Sequence, residues 1–224
     1  MSVANLADLS AVRSQLLATQ HFLAIEGLEE LGYHTLPTDD VISRLLAGYH
    51  LINRFLEEEI DILSIGHSNA LLEINLTVLY GPYDSADREQ HYVQVKNTEH
   101  HFYDTPQGGI QELMEFYQRL LVKDPIHQAA ELYVQTLLQP QLFIEGNHRT
   151  GTLLMSYLLQ RHGYPPFVLT PENAYDYFQS TDIAHYRRNS FQIYFKRSTL
   201  VKRVIALIHT AIDQPLAHSS LALR

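Results

Sequence analysis

The sequence predicts a mainly α fold, a helical bundle with one small β-hairpin. Apolar residues recur at helical spacing through most of the 224 residues. Gly or Pro stands at the end of most of these runs. One stretch, "HYVQVKNTEHHFYDTPQGG", alternates Tyr92, Val93 and Val95 with polar residues before a Pro/Gly break, the pattern of a hairpin.

Taken in order, segment 9–31 carries Leu16, Leu17, Phe22, Leu23, Ile25, Leu28 and Leu31 and stops at Gly32. The next helix follows Pro37 and opens on Asp39-Asp40, whose charges suit a helix N-terminus. Segment 68–80 reads as helix closed by Gly81-Pro82, and the hairpin follows it. Helices resume at 110–122 and 126–139, the latter ended by Pro140. A loop, 140–146, leads to a helix from Asn147 to His162, stopped by "GYPP". In "TPENAYDYFQ", Thr170 reads as N-cap, Pro171 as N1 and Glu172 as a first-turn acid. The stretch 184–207 is aromatic and basic, with Phe191, Tyr194 and Phe195 assigned to the core. With no repeat and no low-complexity linker, the chain divides into an N-terminal helical segment (1–40), one domain (41–212) and a tail (213–224).

Composition narrows the function classes. A net charge of −9 argues against a broad nucleic-acid face and confines any anion site to a local feature. The absence of cysteine rules out disulfides, thiolate nucleophiles and cysteine-ligated metal. The 13 histidines show no recurring ligand spacing, so surface or hydrogen-bonding roles are expected of them. Asp8 and Arg13 interrupt the N-terminus where a signal peptide needs an apolar run, and no window approaches a membrane span. A cytoplasmic protein without membrane contact is the expectation.

The chemistry concentrates in "QLFIEGNHRTGTLLMSYLL". Gly146 permits a tight turn and a close backbone approach, and the free N–H groups of the following helix favour an anion in the loop. Asn147 is expected to cap that helix and donate its amide outward. Arg149 brings a fork that matches phosphate oxygens. Glu145 suits an Mg²⁺ bridging two phosphates better than a bare phosphate. A plain Asn-capped helix with a surface Arg is the competing reading.

The pattern "F-x-E-G-N-x-R-T", an apolar helix and "GYPPF" resembles the Fic (Fido) family. Members carry His-Pro-Phe-x-Asp/Glu-Gly-Asn-Gly-Arg-x-x-Arg at this point, and Phe143, Glu145, Gly146, Asn147 and Arg149 match it. The resemblance covers roughly 40–212. It implies an all-helical bundle with a β flap and transfer of AMP from ATP, with Mg²⁺, to a protein hydroxyl. It makes Glu145 the metal ligand, sets Gly146, Asn147 and Arg149 on the phosphates, and has the flap, Tyr92 to Thr105, dock a target protein by strand addition. A homodimer is a candidate assembly. A second similarity, "FLAIEGLEELG", resembles the family's inhibitory helix and makes Glu26 a regulatory residue, although Phe22 stands where that motif has Ser/Thr.

The departures are as informative. Gln141 occupies the position of the catalytic His, and a glutamine amide cannot act as general base near neutrality. Leu142 replaces the usual Pro, and Thr152 replaces the second Arg, which would hold the γ-phosphate and pair with the inhibitory Glu. His148 stands at the second Gly, where it either adds a phosphate contact or, the favoured reading, faces solvent. The expected function is that of a degenerate Fic-fold protein that keeps a nucleotide or phosphate site with weak or no AMP transferase activity. The alternative is an active transferase of AMP, another nucleotide or phosphate, with a substituted base.

Overall fold

The computed structural model of the chain describes residues 3–26, 38–105, 109–179, 183, 186–188 and 190–213. Ten helices lie within them: α1 (Leu9–Glu26), α2 (Asp39–Glu57), α3 (Ser68–Tyr80), α4 (Ala86–Gln90), α5 (Tyr92–Asp104), α6 (Ile110–Leu120), α7 (Pro125–Leu137), α8 (Asn147–Arg161), α9 (Pro171–Gln179) and α10 (Phe191–Asp213). The fold is mainly α, and the only β pairing among the described residues is an isolated parallel bridge between Gln139 and Arg187.

Local chemistry sets the boundaries. Thr38 Oγ1 accepts from Val41 N at the start of α2, and Asp124 Oδ1 accepts from His127 N at the start of α7, with Pro125 in the first turn. Gly81, with φ +81°, closes α3. At α9 the expected cap is reversed: Thr170 Oγ1 has no partner among the described residues, and Asn173 Oδ1 instead accepts from Thr170 N.

The expected hairpin is a helix. Tyr92–Asp104 forms α5, with Thr98 and Phe102 buried and Val95 half-buried, a spacing of three and four residues. The alternation of Tyr92, Val93 and Val95 misleads because Tyr92 and Val93 are both exposed and the polar Thr98 takes a core position. Strand addition at Tyr92–Asp104 is therefore ruled out, since α5 offers no open strand edge.

The assignment of Phe191, Tyr194 and Phe195 to the core also fails: they are 79%, 81% and 63% exposed. The buried face of α10 is Ile193, Leu200, Val201, Val204, Leu207 and Ile208. Residues 27–37 and 214–224 lie outside the described residues, and with them the predicted stop at Gly32 and most of the tail. Glu26 is the last residue of α1, and its side chain likewise lies outside what is described.

At the centre of the bundle is α8, buried from Thr150 to Gln160 and packed against α7, α3 and α2. Its N-terminus carries the motif loop, so the loop is seated on the most buried helix of the fold. No helix among the described residues is long and apolar enough to cross a membrane.

Candidate functional site

The loop between α7 and α8 is held at both ends. Gln139 N donates to Tyr186 O and Arg188 N donates to Gln139 O, each at 2.9 Å, and the Gln139–Pro140 peptide is cis. Leu142 and Phe143 are buried, and Phe143 stacks on Phe102 of α5 at 5.2 Å between centroids. The loop then surfaces at Ile144 and Glu145 before turning into α8 at Gly146.

Gly146 is in the left-handed region, φ +76°, and stands at the N-cap with no side chain capping the helix. The first backbone bond of α8 is Thr150 N to Gly146 O at 2.9 Å. The position also demands glycine for space, because a Cβ there would lie 3.0 Å from Asn75 Nδ2 and 3.1 Å from Leu79 Cδ2. Asn75, fully buried on α3, fixes the turn by donating its amide to Glu145 O and Thr150 Oγ1, both at 2.9 Å. Sequence reasoning missed Asn75. Its signal is a polar residue inside the apolar run "ALLEINLTVLY".

Asn147 turns inward, contrary to expectation. Its Oδ1 accepts from Phe143 N at 2.9 Å, and its Nδ2 donates to Phe143 O at 2.8 Å and to Gln141 Oε1 at 3.2 Å. Both amide hydrogens are spent on the loop, so Asn147 shapes the site from below, and Gly146 takes the cap position. Gln141 belongs to the same clamp, its Nε2 donating to Leu137 O at 3.3 Å.

Arg149 reaches toward α3: NH1 donates to Val78 O at 2.8 Å, and NH2 lies 3.5 Å from Glu145 Oε1. The neighbouring carbonyl, Leu79 O, accepts from Arg44 NH1 at 2.7 Å, while Arg44 NH2 pairs with Asp87 at 2.6 Å. Two guanidinium groups thus bond successive carbonyls at the C-terminus of α3, where the helix dipole favours cations. Burial lowers the pKa of Arg149, and the Glu145 carboxylate opposes that shift. Tyr80, raised chiefly by burial and then by Glu145, borders the same place.

His148 does not face solvent. Its Nδ1 is 3.3 Å from Tyr133 Oη, and burial drives its pKa down to about 4, so the ring is neutral near pH 7. Thr152, at the second Arg position, donates to His148 O and shares a 2.9 Å bond with the buried Tyr177 hydroxyl. A phenol and a threonine fill the interior at this position. From α5, His101 Nε2 approaches Gln141 O at 3.2 Å while its Nδ1 stands 3.3 Å from Thr105 Oγ1. His100 and His127 are instead paired locally with Asp104 and Asp124.

No three His, Cys, Asp or Glu residues among the described ones stand together as a metal cage. The donor set of the loop is a single carboxylate, Glu145, whose side chain is 70% exposed. That fits Mg²⁺, which takes one or two carboxylates and completes its shell with phosphate oxygens and water.

In sequence the chain is similar to curated Fic proteins. The chain is 28% identical over 117 residues to the protein adenylyltransferase Fic of Nematostella vectensis, matching 50% of this chain and 27% of that protein. It is 38% identical over 66 residues to the protein adenylyltransferase fic-1 of Caenorhabditis elegans, 29% of this chain and 13% of the other. It is 29% identical over 142 residues to the Drosophila melanogaster protein, 60% of this chain and 27% of the other. Over these stretches the chain is similar to Fic proteins. It matches no more than 27% of the length of these Fic relatives. A Fic domain containing signaling protein from Bacteroides thetaiotaomicron superposes with a TM-score of 0.48 at 15% identity, covering 94% of this chain and 92% of that one. For C. elegans Fic-1 the TM-score is 0.43 at 20% identity, covering 91% and 66%. No family profile matches the chain.

Proposed function

We propose that this Fic-like domain binds a nucleotide through its phosphates at Glu145–Arg149 and has weak or no AMP transferase activity. The observation that carries the binding half is Gly146. Its left-handed turn, locked by Asn75, presents an uncapped α8 N-terminus beside Arg149 and an exposed Glu145. Free N–H groups, the helix dipole and a guanidinium together suit phosphate oxygens. Glu145 would hold Mg²⁺, which would neutralise charge between two phosphates. Asn147 serves this site as a brace for the loop, and His148 contributes a neutral ring. The relatives' name, protein adenylyltransferase, supports ATP as the first nucleotide to test.

The second half rests on the missing base. Gln141 is tied at both ends of its amide. His101 has both ring nitrogens engaged, and a histidine with a pKa of about 4, like His148, is a feeble proton acceptor. Loss of a general base costs about 10²–10⁴-fold in rate. The reading sets the protein in the cytoplasm, where ATP is plentiful, as a nucleotide-responsive binding module.

Calorimetric titration of ATP, ADP and AMP with Mg²⁺ tests it. Binding tighter than about 1 mM is expected for at least one nucleotide. Arg149→Ala should weaken it about tenfold or more, and Glu145→Gln, at an exposed position, should reduce its Mg²⁺ dependence. Absence of heat from all three nucleotides at millimolar concentration would remove the binding reading. Strong self- or target-labelling from ATP by the natural chain would replace the weak-transfer reading with an active transferase.

A further inference from the structure

The net charge is −9, yet one groove gathers cations. It runs between α7 and α10, encloses about 960 Å³, and sets Lys123, Arg188, Arg197 and Lys202 against two carboxylates, Glu112 beside Arg188 and, in the lining itself, Glu131. Glu131 is already occupied: Lys123 Nζ lies 3.0 Å from Oε1, and Arg197 Nε lies 2.9 Å from Oε2. Arg197 is fixed further by Gln135 Oε1 at 2.9 Å and by stacking on Phe116, 4.6 Å from the ring centroid.

Arg188 is the unusual member. Its side chain is 4% exposed, with NH2 on Gln135 O at 3.0 Å and NH1 3.3 Å from Glu112 Oε1. Its Nε has no hydrogen-bond partner among the described residues. A buried donor without an acceptor is costly, and a carboxylate brought into the groove would offer it one.

The rim is aromatic. Phe191 and Tyr194 line the groove and are 79% and 81% exposed. Phe195 holds both edge-on, with centroids 4.8 Å and 5.3 Å away. Three large rings kept in water on one helical face, beside ordered arginines, have the composition of an interface core, where Tyr, Phe and Arg are enriched. A small anion filling the groove would leave these rings in water, whereas a polypeptide covers floor and rim together. The groove lies beside the N-terminal half of α7 and the motif loop follows its C-terminus, so this surface does not depend on the nucleotide reading.

We propose that the α7–α10 groove docks an acidic segment of a partner protein. Its carboxylates would lie on Arg188, Arg197 and Lys202, and an apolar or aromatic side chain on the Phe191–Tyr194 rim.

The probe is a fluorescein-labelled random copolymer of glutamate and tyrosine, titrated with the full chain at about 50 mM salt and followed by anisotropy. Saturable binding that weakens with added salt is expected, with none to a lysine–tyrosine copolymer. Tyr194→Ala combined with Lys202→Glu, both at exposed positions, should weaken binding about tenfold or more while leaving the thermal melt unchanged. Failure of the acidic copolymer to bind, or equal binding by the double variant, overturns the proposal. So does tighter binding of oligothymidylate, which would make the groove a nucleic-acid site. Self-association of the natural chain in sedimentation, abolished in the double variant, would make its occupant a second copy and also overturn it.

Discussion

His148 shows how one side chain couples the motif to stability. A histidine in water titrates near 6.5, and burial against Tyr133 brings this one to about 4. Between those values the unfolded chain binds a proton that the folded chain refuses. Stability therefore falls as pH drops from about 6.5 toward 4, and is fully retained above that window. The shift corresponds to at most about 3 kcal/mol. Urea midpoints measured from pH 7 to pH 4 should fall more steeply for the natural chain than for His148→Gln. Parallel slopes would mean that the ring stays solvated. The sequence showed which residue stood at this position. It could not show the burial, because Tyr133 meets His148 only once α7 and α8 pack together.

At the scale of elements, the helix ends were legible where their chemistry is local: Asp39-Asp40 opens α2, Gly81 closes α3, and Gly146 turns the motif loop into α8. The error at α5 has an equally local cause. With two core residues in 13, Thr98 and Phe102, the segment carries too weak a period to outvote three β-formers at its start. What the sequence could not show is the support arriving from α2 and α3: Asn75 under Gly146, and Arg44 beside Arg149, are 71 and 105 positions away along the chain. Gly146→Ala tests that support directly. It would force a Cβ into a left-handed turn and into contact with Asn75 and Leu79. The expected loss is about 1–3 kcal/mol, and the Asn75 amide bonds should be the first disturbed. Denaturant unfolding measures the loss, and the Asn75 side-chain NH₂ resonance reports the disturbance. A variant as stable as the natural chain would show that the loop relaxes away from α3.

For the whole molecule, α8 ties together what the chain separates. At its N-terminus it carries the motif loop, and along its length Ser156 Oγ and the buried Tyr49 hydroxyl of α2 donate to the same carbonyl, Phe167 O, at 2.9 Å and 2.6 Å. Near its C-terminus, Gln160 Nε2 donates to Asn5 O and to Asn53 Oδ1, at 2.9 Å and 3.1 Å. Asn53, on α2, pairs with both backbone groups of Ala7, each at 2.9 Å. The segment before α1 is thereby stitched to α2 and α8 by amides that no hydrophobic pattern announces. Asn53→Ala removes three of these bonds at once and leaves the Ala7 N–H and C=O unpaired in a buried setting. Its cost should be about 2–4 kcal/mol, more than a surface substitution and less than loss of the fold. Hydrogen exchange localises the effect: the Ala7 and Asn5 amides should lose protection while those of Thr150 and Phe143, at the other end of α8, keep theirs. Equal loss at both ends would show that the N-terminal stitch and the motif loop open as one cooperative unit, so that anything bound at the loop would also tighten the N-terminal segment.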